Sequence, residues 1–139
     1  MATPAELWID AWFHAWTEHK PGRLEGVYVP GPVQSSAPLR EYADPLEYAA
    51  WAFADEHEAE VWFAEPLVDT PETAVCEWWA LSSDNAGATG TLAGVSLLRF
   101  DGDGRVADQR DHWTLEDGEH RPPEGWGPVR RHGSLDAGR

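Results

Sequence analysis

The spacing of apolar residues changes once along this chain, from helical to alternating. From Pro4 to Glu18, Trp8, Trp12 and Trp16 recur every fourth position, with Ile9 and Phe13 widening the stripe and Glu6, Asp10, His14 and Glu18 outside it. Thr3 as N-cap, Pro4 at the first turn and Glu6 at N3 predict the start of this helix; His19-Lys20-Pro21-Gly22 predicts its end. A short second helix is expected over 23–28, with Leu24, Val27 and Tyr28 turned inward, and a short edge strand over 33–36. A third helix begins at Asp44-Pro45 and runs to about residue 58, burying Leu46, Ala49, Ala50 and Phe53. From there the period is two, predicting strands over 59–67, 74–82, 92–100 and 105–115. Helices followed by a run of strands predict an α+β domain: three helices packed on one face of a curved antiparallel sheet.

The last predicted turn is the best determined. Asp101-Gly102-Asp103-Gly104 supplies the side-chain caps and glycines of a tight hairpin between Phe100 and Arg105. Closing the loop there sets Ser96 opposite Gln109 and Gly94 opposite Asp111, with space beside the carboxylate where Gly94 lacks a side chain. After Asp117 the chain is rich in Gly, Pro, Arg and His. Residues 1–117 are therefore expected to form the domain and 118–139 an extended, partly disordered tail, with Trp126 docked on the body.

The pattern Arg99-Phe100-Asp101-x-x-Gly104-Arg105-Val106, followed by Trp113, resembles the last two strands of the nuclear transport factor 2-like superfamily. That superfamily includes the ketosteroid isomerases and the SnoaL-like polyketide cyclases. Element order extends the resemblance over 7–115, and Glu77-Trp78-Trp79-Ala80 resembles its SnoaL-like members. The resemblance implies a cone-shaped α+β barrel with a deep pocket. Carried over position by position, it places Gly94, Ser96, Leu98, Gln109, Asp111 and Trp113 inside. Val95, Leu97, Arg99, Val106, Asp108, Arg110 and His112 fall outside. The isomerase catalytic set does not carry over: its aspartate base falls on Ser36 or Ala37, its tyrosine near Trp12 and its protonated aspartate on Ser96. Steroid isomerisation by that mechanism is not expected.

Composition narrows the partners. Nine tryptophans must fill a core, line a pocket or meet another subunit. A formal net charge of −15 disfavours nucleic acid and anionic membranes. Cys76 is the only cysteine, and no apolar run is long enough for a membrane span, so a cytoplasmic protein is expected. Arginine dominance among the bases fits a GC-rich bacterial genome.

Asp111 is the candidate catalytic residue, because a carboxylate in an apolar pocket is driven toward neutrality and can exchange protons near pH 7. The alternative is a structural Asp111, facing outward or held by Arg40 or Arg110. Trp12, Trp16, Tyr48, Ser96, Leu98, Gln109 and Trp113 are the candidate ligand-binding residues, with Tyr28 a further hydrogen-bonding candidate. The six histidines form no metal-binding motif, and Arg105 spoils the calcium-loop pattern that begins at Asp101, so no metal and no cofactor are expected. The function expected is binding of a small apolar or aromatic molecule, with acid–base isomerase, cyclase or hydrolase chemistry. A non-catalytic ligand-binding or dimerisation module is the alternative. A homodimer is expected through an outer sheet face bearing Trp62, Trp79, Val95 and Leu97.

Overall fold

The computed structural model describes residues 1–135. Helix α1 (Pro4–Glu18) opens with a complete capping box: Thr3 Oγ1 accepts from Glu6 N at 3.2 Å and Glu6 Oε1 accepts from Thr3 N at 2.9 Å. His19, at φ 52°, closes it. The short helix expected over 23–28 is instead a 3-10 turn, Pro21–Leu24, and Gly26 at φ +81° takes the chain out of helical geometry. Strand β1 (Gln34–Ser36) follows, then helix α2 (Pro45–Ala54), capped by Asp44 Oδ2 accepting from Glu47 N at 3.1 Å. Helix α2 ends before 58 because the chain turns into strand β2 (Glu56–Ala64). The described residues thus hold two α-helices, one fewer than expected.

Strands β3 (Val68–Asp69), β4 (Thr73–Asp84), β5 (Thr89–Phe100), β6 (Val106–Asp117) and β7 (Val129–Leu135) complete a seven-stranded sheet. Its order is β1-β6-β5-β4-β2-β7, with β3 beside β4. The sheet is mixed, since β1 runs parallel to β6 while the other pairings are antiparallel.

The β5–β6 turn forms as expected: Asp101 Oδ1 accepts from Asp103 N and Arg105 N, and Gly104 sits at φ +80°. Its register differs by two from the expected one. Arg99 pairs with Asp108 but Phe100 with Val106, a bulge that sets Ser96 opposite Asp111, Leu98 opposite Gln109 and Gly94 opposite Trp113. A shift of two preserves the face, so Ser96, Gln109 and Asp111 are buried as expected. Val106 is the exception: the bulge turns it into the core, fully buried. Gly94 makes room for Trp113 rather than for Asp111, because a Cβ there would lie 2.5 Å from both Trp113 Cβ and the His112 carbonyl oxygen.

The body of the fold reaches past residue 117. Strand β7 pairs antiparallel with β2, and its arginines clasp α1: Arg130 Nη1 donates to Glu6 Oε2 at 2.9 Å and Arg131 Nε to Asp10 Oδ1 at 2.8 Å. Trp126 docks on Trp79, ring centres 6.1 Å apart. The expected disorder of the final residues concerns 136–139, outside the described residues.

Helix α1 lies against β2, β4 and β7. Its Trp8, Ile9, Trp12 and Ala15 are buried in one cluster with Val61, Phe63, Cys76 and Trp78. Burial pushes the Cys76 thiol up to about 12, with the Asp69 charge adding to the effect, so it packs as a small apolar group. No helix among the described residues is long and apolar enough to cross a membrane.

Candidate functional site

A cavity of about 280 Å³ lies between the two helices and the inner faces of β4, β5 and β6. Aromatic side chains, among them Trp8, Trp12, Trp16, Phe53, Trp78 and Trp113, form much of its wall. Alternation along β5 and β6 delivers Ser96, Gln109 and Asp111 to the same wall, and β1 adds Gln34 and Ser36.

Asp111 is the centre of this polar wall, and it is 4% exposed. Its Oδ1 accepts from Ser96 Oγ at 2.6 Å and from Gln109 Nε2 at 2.9 Å; its Oδ2 accepts from Gln34 Nε2 at 3.0 Å. Two of these donors are held in turn. Ser96 Oγ accepts from Trp78 Nε1 at 3.1 Å. Gln109 Oε1 accepts from Tyr28 OH at 2.5 Å and Trp8 Nε1 at 2.9 Å, and the Tyr28 oxygen accepts from Trp12 Nε1 at 2.6 Å. The carboxylate therefore ends a chain of neutral donors running from α1 through Tyr28 and Gln109.

No arginine or lysine among the described residues pairs with Asp111. Arg110 reaches Asp108 at 3.4 Å, and the Arg40 guanidinium lies 5.3 and 5.5 Å from the ring centres of Trp51 and Trp113. Burial therefore prevails over the Ser96, Gln34 and Gln109 hydrogen bonds and pushes the Asp111 carboxyl above the ordinary aspartate range. Tyr28 is pushed upward by burial too, opposed by the Trp12 bond and reinforced by Asp111. Tyr48 is raised by burial and by the charge of Asp111, against the Ser36 and Arg40 contacts.

Of the ligand-binding candidates, Trp12, Trp16, Tyr48, Ser96, Gln109 and Trp113 line the cavity together with Asp111. Leu98 does not: one step further along β5, it is packed in the core. Sequence reasoning missed Gln34 as a partner of Asp111. Three polar residues in a row, Gln34-Ser35-Ser36, are all buried, and only the parallel β1–β6 pairing explains why. Glu56, at the cavity's other end, was also missed. Its Oε1 accepts from Trp16 Nε1 at 2.8 Å and lies 2.7 Å from His19 Nε2, and its Oε2 accepts from Ser82 Oγ at 2.8 Å.

The outer sheet face is partly covered by the chain's own C-terminal segment. Trp62 is 7% exposed, stacked on His132 at 4.5 Å with Arg121 5.1 Å from its ring centre. Trp79 Nε1 donates to the His120 carbonyl at 2.7 Å.

No protein-family model and no curated protein sequence matches the chain. Solved structures do. Rv0760c from Mycobacterium tuberculosis, also solved in complex with estradiol-17beta-hemisuccinate, matches at a TM-score of 0.67 and 16% identity, over 85% of this chain and 98% of that one. An NTF2-like protein from Burkholderia pseudomallei matches at 0.65 and 15%, over 82% and 92%. The Delta 5-3-ketosteroid isomerase from Mycobacterium sp. matches at 0.59 and 13%, over 83% and 100%. With its mixed sheet wrapped on α1 and a cavity opening between helix and strands, this chain has the nuclear transport factor 2-like fold.

Proposed function

We propose that this protein binds a small, largely apolar or aromatic molecule in a cone-shaped pocket and acts on it by proton transfer at Asp111. The observation carrying this reading is one buried carboxylate, without a cationic partner among the described residues, on the wall of a cavity rich in aromatic side chains. Burial raises the pKa of such a group, which suits it to proton exchange. Trp12, Trp16, Tyr48 and Trp113 supply the apolar contacts, while Ser96 and Gln109 fix the carboxylate. Leu98 packs in the core beside that wall. The steroid derivative held by Rv0760c supports small-molecule binding in this fold generally. The reactions that fit are isomerisation, cyclisation and hydrolysis without a cofactor. Fold alone does not choose among them. A non-catalytic ligand-binding module is the second reading, favoured by the number of hydrogen bonds that fix Asp111 in place.

Two measurements test this. Aromatic ligands should quench tryptophan emission saturably, since the cavity wall holds five indoles. On any substrate found, Asp111→Asn should lower turnover roughly 10²–10⁴-fold while a neutral ligand binds as before. Unchanged turnover would leave the binding module.

A homodimer belongs to the same proposal, through the part of the outer face that the C-terminal segment leaves open. Val75 there faces Leu97, and Glu77 faces Val95. Light scattering should give twice the 15.4 kDa chain mass; the mass of one chain refutes it. A cytoplasmic, bacterial setting completes the reading, on the strength of the free Cys76 and the arginine-rich base content.

A further inference from the structure

Most donors of the cavity wall are engaged, while acceptors stay open. All five indole N–H groups on its wall are committed: Trp8 to Gln109 and Tyr28, Trp12 to Tyr28, Trp16 to Glu56, Trp78 to Ser96 and Trp113 to Ser36. The Nε2 groups of Gln34 and Gln109 and the Ser96 hydroxyl all go to Asp111. What remains on the wall is the second N–H of each of those two amides and the hydroxyls of Ser36 and Tyr48, which bond each other, with Ser36 also touching Asp111, and can accept as readily as donate.

Against this stands one orphan. Gln34 is 2% exposed, and its Oε1 has no hydrogen-bond partner among the described residues. A buried carbonyl left unpaired costs about 1–3 kcal/mol, and Gln34 lines the cavity, so a ligand donor that reaches this oxygen would recover that cost. Three bonds to the Asp111 carboxylate still leave an acceptor position open.

Charge points the same way. The wall carries four carboxylates, Asp55, Glu56, Asp84 and Asp111, and no lysine, arginine or histidine. Two bases meet the wall from outside it: His19 pairs with Glu56, and Arg40 lies over the rings of Trp51 and Trp113; no basic side chain among the described residues pairs with Asp55, Asp84 or Asp111. Indole faces attract cations, and a chain of net charge −15 concentrates them.

We propose that the ligand of this cavity is a cation: a flat aromatic molecule bearing a protonated amine. Its N–H groups bond Gln34 Oε1 and the Asp111 carboxylate, and its charge rests among the indole faces. This rests on the reading above that the cavity takes a small molecule. The space suits two fused rings with a short aminoalkyl arm.

The experiment is calorimetric titration of the full chain with three probes on one ring: 2-(1-naphthyl)ethylamine, 2-(1-naphthyl)ethanol and 1-naphthylacetate. The amine should bind at least roughly tenfold tighter than the alcohol, and the acid should not bind measurably. Asp111→Asn should weaken the amine far more than the alcohol and so remove most of the amine's advantage. Gln34→Met, which removes the orphan oxygen without touching the charge, should weaken the amine by a smaller factor. Near-ultraviolet circular dichroism of both variants, matched to the parent, certifies their folding. If the alcohol binds as tightly as the amine to the parent protein, the cation proposal is overturned and the binding reading stands. Failure of all three probes at millimolar concentration overturns both.

Discussion

Gln34 Nε2 donates to Asp111 Oδ2 at 3.0 Å, and the other end of the same amide, Oε1, has no partner among the described residues. This pairing accommodates both protonation states of the acid. With Asp111 ionised, the amide donates as observed. With Asp111 neutral, a half-turn of the Gln34 amide brings Oε1 to receive the carboxyl proton, while Ser96 and Gln109 keep their bonds to Oδ1. The site can therefore gain or lose a proton without moving backbone.

A pH dependence of stability follows. The native protein holds the Asp111 proton more tightly than the unfolded chain does, because burial raises its pKa above 3.8. Stability should fall as pH rises from that value through the raised one, with a slope up to about 1.4 kcal/mol per pH unit, and level off above. Asp111→Asn, which mimics the neutral acid with the amide turned, should lack this slope. Glu6, Asp10, Glu18, Glu60 and Asp101 are all lowered and lend stability that is lost as pH falls. They cancel in the difference between the two proteins. Urea unfolding of both from pH 4 to 8 measures it. A difference that is flat across that range would mean Asp111 does not titrate there.

The donor chain behind the carboxylate gives a second expectation. Tyr28→Phe removes the acceptor of Trp12 Nε1 and one donor to Gln109, both in the core. A buried indole N–H is then left unpaired, and the fold should lose about 1–3 kcal/mol. Gln109 keeps its bond from Trp8, so Asp111 should stay in place. Thermal melts and the pH profile of the variant separate the two effects. A melt equal to the parent's would show that another group receives the Trp12 proton.

Sequence periodicity made much of this structure legible. Thr3, Pro4 and Glu6 announced the first helix, and Asp101 to Gly104 the hairpin, because caps and turns are written in adjacent residues. The inward set Ser96, Gln109 and Asp111 survived a register error of two, since only an odd shift exchanges the faces. Val106 did not survive, because a bulge is a local change of parity that no alternation announces. Gln34 was invisible as a site residue: its burial comes from a parallel pairing with a strand about seventy-five positions away. Strand β7 was hidden for a different reason. Residues 129–135 carry few apolar side chains, and the strand is held by backbone pairing to β2 and by arginines reaching carboxylates on α1.

Gly94 is expected to be intolerant of any side chain. It faces Trp113 across β5 and β6, where a Cβ would meet backbone on one side and the base of an indole on the other. Neither contact can swing away as the tip of a side chain can. Gly94→Ala should destabilise the fold by about 1–3 kcal/mol and shift Trp113 toward the cavity. Tight binding of an aromatic probe should weaken with it. A parent-like melt for this variant would mean that the two strands separate more easily here than their pairing implies.

The C-terminal segment should be part of the cooperative unit. Removing everything after Asp117 strips β7 from the edge of β2 and leaves Glu6 and Asp10 without their arginines. It also uncovers Trp62 and Trp79, which His132, Arg121 and Trp126 now cover. An open strand edge beside two exposed indoles is a template for aggregation. The shortened chain should melt at least about 10 °C lower than the parent, bind a hydrophobic dye and show red-shifted tryptophan emission. The single substitution His132→Ala should show a milder form of the same emission change, since it removes only the ring stacked on Trp62. A shortened chain that stays soluble with an unchanged melt and unchanged emission would make residues 118–135 an appendage to the sheet rather than a member of it.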